Sequence, residues 1–362
     1  MKKYTLPEYP CSEDMWDVLK KEKRPIVVYG MGNGADKLFA RFEKYGIFVA
    51  DVFASDGFVR GHSFRGYRVK SFSEIKETYS DFVIVLSFAS GREEVIEMLR
   101  GIDREYDMLV PDMPVADEND YFDREHYNSH YEEILKTYEL MSDSESKDIY
   151  AAVVNYKLTG RLSYLLDIYT NKADMYALVN KNDIKVMIDA GAYNGDTAKE
   201  AVEYFPNISE IHAIEPDKKT FKRLSKYAEG APIKVRAINA AVYSENTDGM
   251  LFAAGNRNST AVATASYENS EQQIKFITVD SLGIDADYIK YDVEGAEYEA
   301  ILGSLDTIEK SRPTLLVSLY HRSRDLYFLP EFLSERLSGY SFYIRRLGVV
   351  PAWDMNLIAI PT

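Results

Sequence analysis

Two glycines and two acidic residues in the second half of the chain have a spacing suited to binding a nucleoside. Asp189 ends an apolar run, and Gly191 and Gly195 follow it four residues apart. Glycine suits such a turn because it adopts positive φ angles and lets a ligand approach bare backbone. Glu215 follows a second apolar run about twenty residues later, where a carboxylate can accept hydrogen bonds from both hydroxyls of a ribose. The pattern predicts a strand, a glycine turn and a helix that bind a nucleoside.

The glycine spacing distinguishes between two kinds of cofactor. A dinucleotide site typically has Gly-x-Gly-x-x-Gly, which seats a pyrophosphate on a helix N-terminus. Here the turn reads Asp-x-Gly-x-x-x-Gly, and the Asp189 carboxylate would repel a pyrophosphate. An acid at this position instead favours a cationic ligand, such as the amino and sulfonium groups of S-adenosylmethionine. The plain alternative is a structural turn of any doubly wound domain.

Alternating strand and helix patterns place this turn in an α/β domain over residues 183–362. Further buried strands are expected at 233–238, 239–243, 289–292, 314–320, 341–346 and 356–360. A reversed final strand after a run of strand–helix units is the usual order in methyltransferases. Short strands are also expected at 250–254, 261–267 and 274–279. This stretch would shape the substrate site, with Arg257, Asn258 and Ser259 at a polar tip that could touch acceptor hydroxyls.

The first 116 residues are predicted to form a second, smaller Rossmann-like domain, with strands at 25–29, 48–54 and 82–87. Its first turn satisfies the dinucleotide fingerprint, with Asp51 or Asp56 as an acid for the ribose. The residues of that fingerprint are Gly30, Gly32 and Ala35. A turn that binds another nucleotide, or nothing, fits equally. This half resembles the amino-terminal Rossmann-like domains of sugar-modifying enzymes, which implies a nucleotide-sugar or NAD as the alternative ligand.

Between the two domains, residues 117–182 are predicted to form a bridge of long amphipathic helices. Apolar and tyrosine side chains recur there at helical spacing. We expect these tyrosines to pack rather than to bind a ligand.

Composition limits the classes of function. The formal net charge is −15, so no net basic field attracts a nucleic acid as the main partner. Cys11 is the single cysteine, which excludes an internal disulfide framework and a zinc cluster. No apolar run is long enough to span a membrane, and the start of the chain lacks a secretory apolar region. The expected location is the cytoplasm. The oligomeric state stays open, a homo-oligomer included.

Five motifs in the second half resemble those of the FkbM family of S-adenosylmethionine-dependent methyltransferases. They are Asp189-Ala-Gly-Ala-Tyr-Asn-Gly-Asp, Glu215-Pro, Asn239-Ala-Ala-Val, Thr278-Val-Asp-Ser-Leu and Lys290-Tyr-Asp-Val-Glu-Gly-Ala-Glu. Their order is that of the family, and the resemblance covers residues 183–362. It implies a class I methyltransferase fold and transfer of a methyl group to a small molecule or a sugar.

The resemblance also implies roles for individual residues. The turn residues Asp189, Gly191, Ala192 and Gly195 would line the methionine and sugar part of the donor, and Glu215 would bind the ribose hydroxyls. Asn239 and Ala240 would lie beside the adenine, and Asp292 would face the methyl group and the acceptor. Tyr193 stands where the family has a small polar or aliphatic residue, so it either caps the cofactor or packs.

A hydroxyl acceptor needs a base, because it must lie roughly 3 Å from the methyl carbon and lose its proton. The candidate catalytic residues are Asp292, Glu294 and His321, all expected at carboxyl ends of strands. Asp292 and Glu294 could together hold Mg²⁺. Alternatively, Glu294 caps the next helix and His321 is a hydrogen-bonded loop residue.

The expected function is therefore S-adenosylmethionine-dependent O-methylation of a hydroxyl on a glycan or another polar small molecule. A base-flipping nucleic-acid methyltransferase is disfavoured, since the turn after Asp292 reads Val-Glu-Gly rather than Pro-Pro-aromatic. Two alternatives remain. One is a sugar-modifying enzyme that binds NAD or a nucleotide through the first domain, and the other is a non-catalytic protein that binds the donor.

Overall fold

The computed structural model describes residues 2–59, 61–117, 119–253, 271–348 and 350–362. Within these residues the chain forms two parallel-sheet α/β units, as the sequence predicts. The strands of the first half are Ile26–Tyr29 (β1), Asp51–Ala54 (β2), Ser63–Phe64 (β3), Tyr67–Arg68 (β4), Lys70–Ser71 (β5), Val83–Leu86 (β6) and Asp107–Leu109 (β7). Its helices are Met15–Lys21 (α1), Asn33–Tyr45 (α2), Phe72–Thr78 (α3) and Glu93–Glu105 (α4).

Five of these strands form a parallel sheet in the order β5-β2-β1-β6-β7, and β3 and β4 form a separate hairpin. The strand expected at 48–54 begins only at Asp51. Phe48 lies outside it, with 80% of its surface exposed. Phe48 is apolar but lies in the connection before the strand, so the strand predicted from the sequence was longer than the paired backbone.

Packing explains two of the three glycines between β1 and the first turn of α2, and the third, Gly32, has open space around its Cβ position. A Cβ atom built on Gly30 would lie 2.5 Å from the Ser87 Oγ atom, and one on Gly34 would collide with the Ser87 carbonyl oxygen. The backbone of this turn therefore lies directly against the end of β6.

Asp51, one of the two acids proposed to bind a ribose in this half, is not available for that role. Asp51 lies at the amino end of β2 and accepts hydrogen bonds from Lys70 Nζ at 2.7 Å and Tyr79 Oη at 2.6 Å. Asp56 accepts from the backbone N–H of Phe72 at the start of α3. We correct the assignment of Asp51, because it lies at the end of β2 remote from the β1–α2 turn, while Asp56 stays a prediction.

The middle segment is helical. It contains Arg124–Ser129 (α5), Tyr131–Leu140 (α6), Ser144–Thr159 (α7), Ser163–Leu166 (α8) and Lys172–Ala177 (α9). Helix α7 is not amphipathic as expected, since every residue from Ile149 to Val154 is buried. Its side chains belong to one continuous core that includes strand residues of both sheets, such as Val27 and Leu357. Helix α7 is thus covered on all sides at its centre.

The second half contains the strands Val186–Ala190 (β8), Glu210–Ile214 (β9), Lys234–Ile238 (β10), Ala241–Val242 (β11), Thr247–Ala253 (β12), Glu271–Ile277 (β13), Tyr288–Tyr291 (β14), Thr314–Ser318 (β15), Tyr340–Arg346 (β16) and Met355–Pro361 (β17). Its helices are Asp196–Tyr204 (α10), Lys218–Gly230 (α11), Glu297–Leu302 (α12), Leu305–Ser311 (α13) and Asp325–Arg336 (α14).

Seven of these strands form one sheet in the order β10-β9-β8-β14-β15-β17-β16. All neighbours are parallel except β17, which runs antiparallel to both β15 and β16. This is the reversed final strand that the sequence predicts. The carboxyl ends of β8, β9 and β14 lie side by side at the point where the strand order reverses, the place where such sheets bind ligands.

The short strands β11, β13 and β12 form a small separate sheet in that order. The strand expected at 261–267 and the polar tip of Arg257, Asn258 and Ser259 lie outside the described residues.

Helix α11 is strongly basic in an acidic chain. It carries five cationic residues, Lys218, Lys219, Lys222, Arg223 and Lys226, and one acid, Glu229, near its end. Among the described residues, no helix combines the length and the apolar character needed to cross a membrane.

Candidate active site

The turn after β8 brings backbone to the edge of a large cleft. Gly191, Tyr193 and Gly195 have φ angles of +83°, +46° and +85°. A Cβ atom on Gly191 would overlap the carbonyl oxygen of Asp292, so glycine is required where the ends of β8 and β14 meet. Tyr193 adopts a left-handed conformation that is costly for a tyrosine, and 44% of its surface is exposed.

Glu215 lies at the end of β9, facing this turn. Its Oε2 atom accepts a hydrogen bond from the Tyr193 backbone N–H at 2.9 Å, and Oε1 accepts one from Asp217 N–H at 2.8 Å. Burial raises the pKa of the Glu215 carboxyl to about 7, although both N–H groups oppose the shift. Glu215 lines the cleft, and each oxygen keeps a lone pair for a ligand hydroxyl.

Two residues expected beside the adenine do not line the cleft. The Asn239 side-chain amide donates to the carbonyl oxygens of Glu215 and Pro216, at 2.9 and 3.0 Å. Ala240 is fully buried. Ala241 and Val242 line the cleft in their place, so Asn239 acts by holding the backbone that presents Glu215.

Lys290 forms ion pairs with both Asp189 and Asp292. Its ammonium lies 3.4 Å from Asp189 Oδ1 and 3.3 Å from Asp292 Oδ2, and it donates to the Gly191 carbonyl oxygen. Burial lowers the pKa of Lys290, but the two carboxylates more than reverse this and hold the pKa above its usual value.

Asp189 lies deeper than the sequence led us to expect. Its side chain is fully buried, its carboxylate has no hydrogen bond among the described residues, and burial raises its pKa. Lys290 lines the cleft and Asp189 does not, although the two residues are register partners on β8 and β14. Ala192 is likewise buried outside the lining.

The end of β14 and the loop after β15 bring a histidine into a group of carboxylates. His321 Nδ1 lies 2.8 Å from Glu297 Oε1. On the other side of the ring, Nε2 lies 3.6 Å from Asp292 Oδ1 and 3.5 Å from Glu294 Oε2. Burial lowers the pKa of His321, but these acids, Glu297 foremost, raise it to about 10. The imidazole is therefore protonated at neutral pH.

The two acids after β14 titrate in opposite directions. Burial raises the pKa of Asp292, but Lys290 and His321 overcome burial and lower it to about 2. Its Oδ1 atom also accepts hydrogen bonds from Ser318 and Tyr320, at 3.0 and 2.9 Å. Burial raises the pKa of Glu294 to about 7, against the opposing charge of His321. Asp292 is thus a permanent anion and Glu294 a proton acceptor near neutrality.

Glu297, which the sequence analysis did not single out, holds the turn between these acids. Its Oε1 atom accepts the backbone N–H groups of Val293 at 2.9 Å and Gly295 at 3.4 Å. No helix cap by the Glu294 side chain is found at α12, and Glu294 has a φ of +56°. A strained non-glycine residue of this kind is typical of functional sites.

These elements surround a cleft of about 1020 Å³. Gly191, Tyr193, Glu215, Lys290, Asp292 and Glu294 line it, while His321 is buried behind them. Gly91 and Val115 from the first half also reach the wall. One ligand atom each of Asp292, Glu297 and His321 lies within 4.8 Å of the others, a set that could hold a metal ion.

The fold and the site define a class I methyltransferase. Residues 189–342 match the family model described as "Methyltransferase FkbM domain". Residues 189–342 are therefore an FkbM methyltransferase domain, and the protein is a methyltransferase that depends on S-adenosylmethionine.

The fold of the whole chain is similar to that of a solved structure. It is similar to the methyltransferase FkbM from Methylobacillus flagellatus KT, with a TM-score of 0.72 and 17% identity over 98% of this chain and 94% of that one. A precorrin-6y C5,15-methyltransferase from Geobacter metallireducens GS-15 matches with a TM-score of 0.31 and 15% identity, over 52% of this chain and 87% of that one. No curated protein is significantly similar in sequence.

Proposed function

We propose that the protein transfers a methyl group from S-adenosylmethionine to a hydroxyl of a glycan or another polar small molecule. The observation that carries this proposal is Glu294. It is a carboxyl group with a pKa of about 7 on the wall of the cleft, next to the strand ends where the donor binds in such sheets.

The donor fits the charges of the cleft. Glu215 has free lone pairs for two ribose hydroxyls, and Ala241 and Val242 offer apolar surface to the adenine. Asp292, beside its counterion Lys290, offers a negative charge to the ammonium and sulfonium groups of the donor. The volume of about 1020 Å³ exceeds that of most single-ligand pockets, which leaves space for an acceptor.

When bound, S-adenosylmethionine supplies an activated methyl group on a cationic sulfur. Glu294 in its ionised form accepts the proton of the acceptor hydroxyl. His321 is a positioning residue in this scheme rather than the base, since its ring is protonated and buried. It holds Asp292 and Glu294 on one side and Glu297 on the other.

A metal ion is not part of the proposal. Lys290 and the protonated His321 already supply positive charge to Asp292, Glu294 and Glu297. A metal ion at Asp292, Glu297 and His321 would have to displace a proton from the imidazole, because a metal-bound histidine is neutral.

Calorimetric titration with S-adenosylhomocysteine tests the donor site. Glu215→Gln should weaken its binding about tenfold, because one acceptor oxygen for the ribose is replaced by an amide donor. Glu229→Gln, at the exposed end of α11, is the matched control and should bind normally. Equal affinity for Glu215→Gln and the unchanged protein would contradict the assignment.

Transfer itself is tested by incubating the protein with S-adenosylmethionine labelled in the methyl group and a panel of methyl glycosides. We expect label in a methyl ether on the sugar. Label found on nitrogen or sulfur of a competing amine or thiol acceptor, with none on the glycosides, would overturn the assignment of O-methylation.

A further inference from the structure

The loop between β16 and β17, described at residues 347–348 and 350–354, forms one wall of the cleft and is held by the first half of the chain. Ser90 N–H donates to the Val350 carbonyl oxygen at 2.8 Å, and Val350 N–H donates to the Ser90 carbonyl oxygen at 3.0 Å. Tyr169 packs beneath the loop so closely that a Cβ atom on Gly348 would lie 2.6 Å from its Cδ2 atom. Backbone and side-chain contacts therefore fix this wall.

Asp354, at the end of the loop, presents an unpaired carboxylate to the cleft. Its φ angle is +54°, a conformation that is costly for an aspartate and typical of functional sites. The neighbouring backbone is fixed, since the Asp354 carbonyl oxygen accepts from Leu347 N–H at 3.1 Å and from the Asn356 side chain at 3.0 Å. The carboxylate lines the cleft and has no hydrogen-bond or ion-pair partner within the described part of the chain.

Charges around Asp354 do not neutralise it. Asp292 is close enough to raise its pKa, which burial raises first, and Lys172, Lys290 and Arg346 oppose the shift. Lys290 already pairs with Asp189 and Asp292, and Lys172 with Glu200. The Asp354 carboxylate is therefore able to accept a hydrogen bond from a donor group on a ligand.

Two aromatic side chains share the cleft wall with Asp354. Tyr169 has 60% of its surface exposed. Its ring is therefore free to pack against a ligand. Trp353 also lines the cleft, and its Nε1 atom is buried without a hydrogen-bond partner among the described residues. Flat apolar rings beside a carboxylate suit a ligand with C–H groups on its face and hydroxyls at its edge.

We propose that Tyr169, Trp353 and Asp354 form the acceptor subsite, and that they bind a saturated ring bearing several hydroxyls, such as a pyranose. The ring face packs on the aromatic side chains, and Asp354 accepts a hydrogen bond from a hydroxyl next to the one that is methylated. This inference rests on the proposed function, and it assigns recognition of the acceptor to three residues. Asp354 is a binding residue here, and Glu294 remains the base.

Saturation-transfer NMR on the full chain tests the subsite, with methyl α-D-glucopyranoside and methyl α-D-mannopyranoside as probes. The spectra are recorded with and without S-adenosylhomocysteine. We expect saturation of the sugar ring protons, and an affinity for the glycoside that falls about tenfold in Asp354→Asn, since a hydrogen bond to a charged group is lost. Asp306→Asn, an exposed aspartate outside the cleft, is the matched control and should bind normally. Tyr169→Ala, at an exposed position, provides a second variant with the same expected loss.

The outcomes separate the two proposals. If the unchanged protein does not bind S-adenosylhomocysteine, the proposed function fails, and the titration without it still tests the subsite. If the donor analogue binds but neither glycoside does, the subsite inference is overturned. Unchanged glycoside affinity in both Asp354→Asn and Tyr169→Ala would overturn it as well. So would selective binding of phenylethylamine, which would assign Asp354 to a cationic ligand.

Discussion

The backbone conformation of Glu294 and its electrostatic environment both suit this residue to act as a base. The left-handed φ angle and the Glu297 hydrogen bonds to the turn direct the side chain into the cleft. Burial and the nearby acids then keep its proton until about pH 7. A carboxylate with its ordinary pKa is a weak base near pH 7. The raised pKa makes Glu294 a stronger base at that pH.

The pH dependence of methyl transfer follows from this pKa. Because the base must be ionised, kcat at saturating donor should fall as the pH decreases below about 7. Glu294→Gln should lower kcat by roughly 10² to 10⁴ and abolish this dependence, while S-adenosylhomocysteine binds as before. The control is Glu309→Gln on the exposed face of α13. A variant that keeps both its rate and its pH profile would rule out Glu294 as the base.

Sequence reasoning singled out His321 and the acids on the cleft wall beside it, but it assigned no role to Lys290 or Glu297. Lys290 and Asp292 are two residues apart, so they lie on the same face of a strand, and this signal could have identified Lys290. The role of Glu297 depends on the loop after β15, which brings His321 to it from 24 residues away. Spacing alone does not reveal that His321 is protonated, because its pKa depends on acids from two separate segments.

At the scale of elements, the contact between Ser90 and Val350 joins the first half of the chain to the acceptor wall. Ser90→Pro removes the N–H that donates to Val350. We expect a higher KM for the acceptor glycoside and an unchanged affinity for S-adenosylhomocysteine. Ser90→Ala keeps the N–H and is the matched control. If Ser90→Pro leaves the acceptor KM unchanged, the bridge does not position the loop.

The alternation of strands and helices and the reversed final strand could be predicted from the sequence, because apolar runs and glycine turns mark each strand–helix unit. Strand ends were less accurate, as Phe48 illustrates. The assignment at Asp51 was wrong because its side chain bonds to groups that the sequence does not show as neighbours. The contacts of Asp56 and Asn239 could not be predicted from the sequence for the same reason. No local sequence pattern indicates the contact between Ser90 and Val350.

At the scale of the molecule, helix α7 makes the two halves depend on each other. Its buried side chains are part of a core shared with both sheets, so we expect one cooperative thermal transition in scanning calorimetry. Tyr156→Ala should lower the free energy of unfolding by about 3–5 kcal/mol and shift the whole transition. Tyr156→Phe is the matched control, since the buried hydroxyl has no hydrogen-bond partner among the described residues. Two separate transitions would mean that the halves unfold independently.

Helix α11 gives the molecule an uneven surface potential. Solution ions at about 0.1 M screen charges beyond roughly 10 Å, so a polyanionic surface near α11 interacts with its five cations rather than with the net charge of −15. A column of immobilised heparin at low salt should therefore retain this acidic protein. Because Lys219 and Arg223 lie at the mouth of the cleft, retention of this kind would orient the molecule with its active site toward the resin.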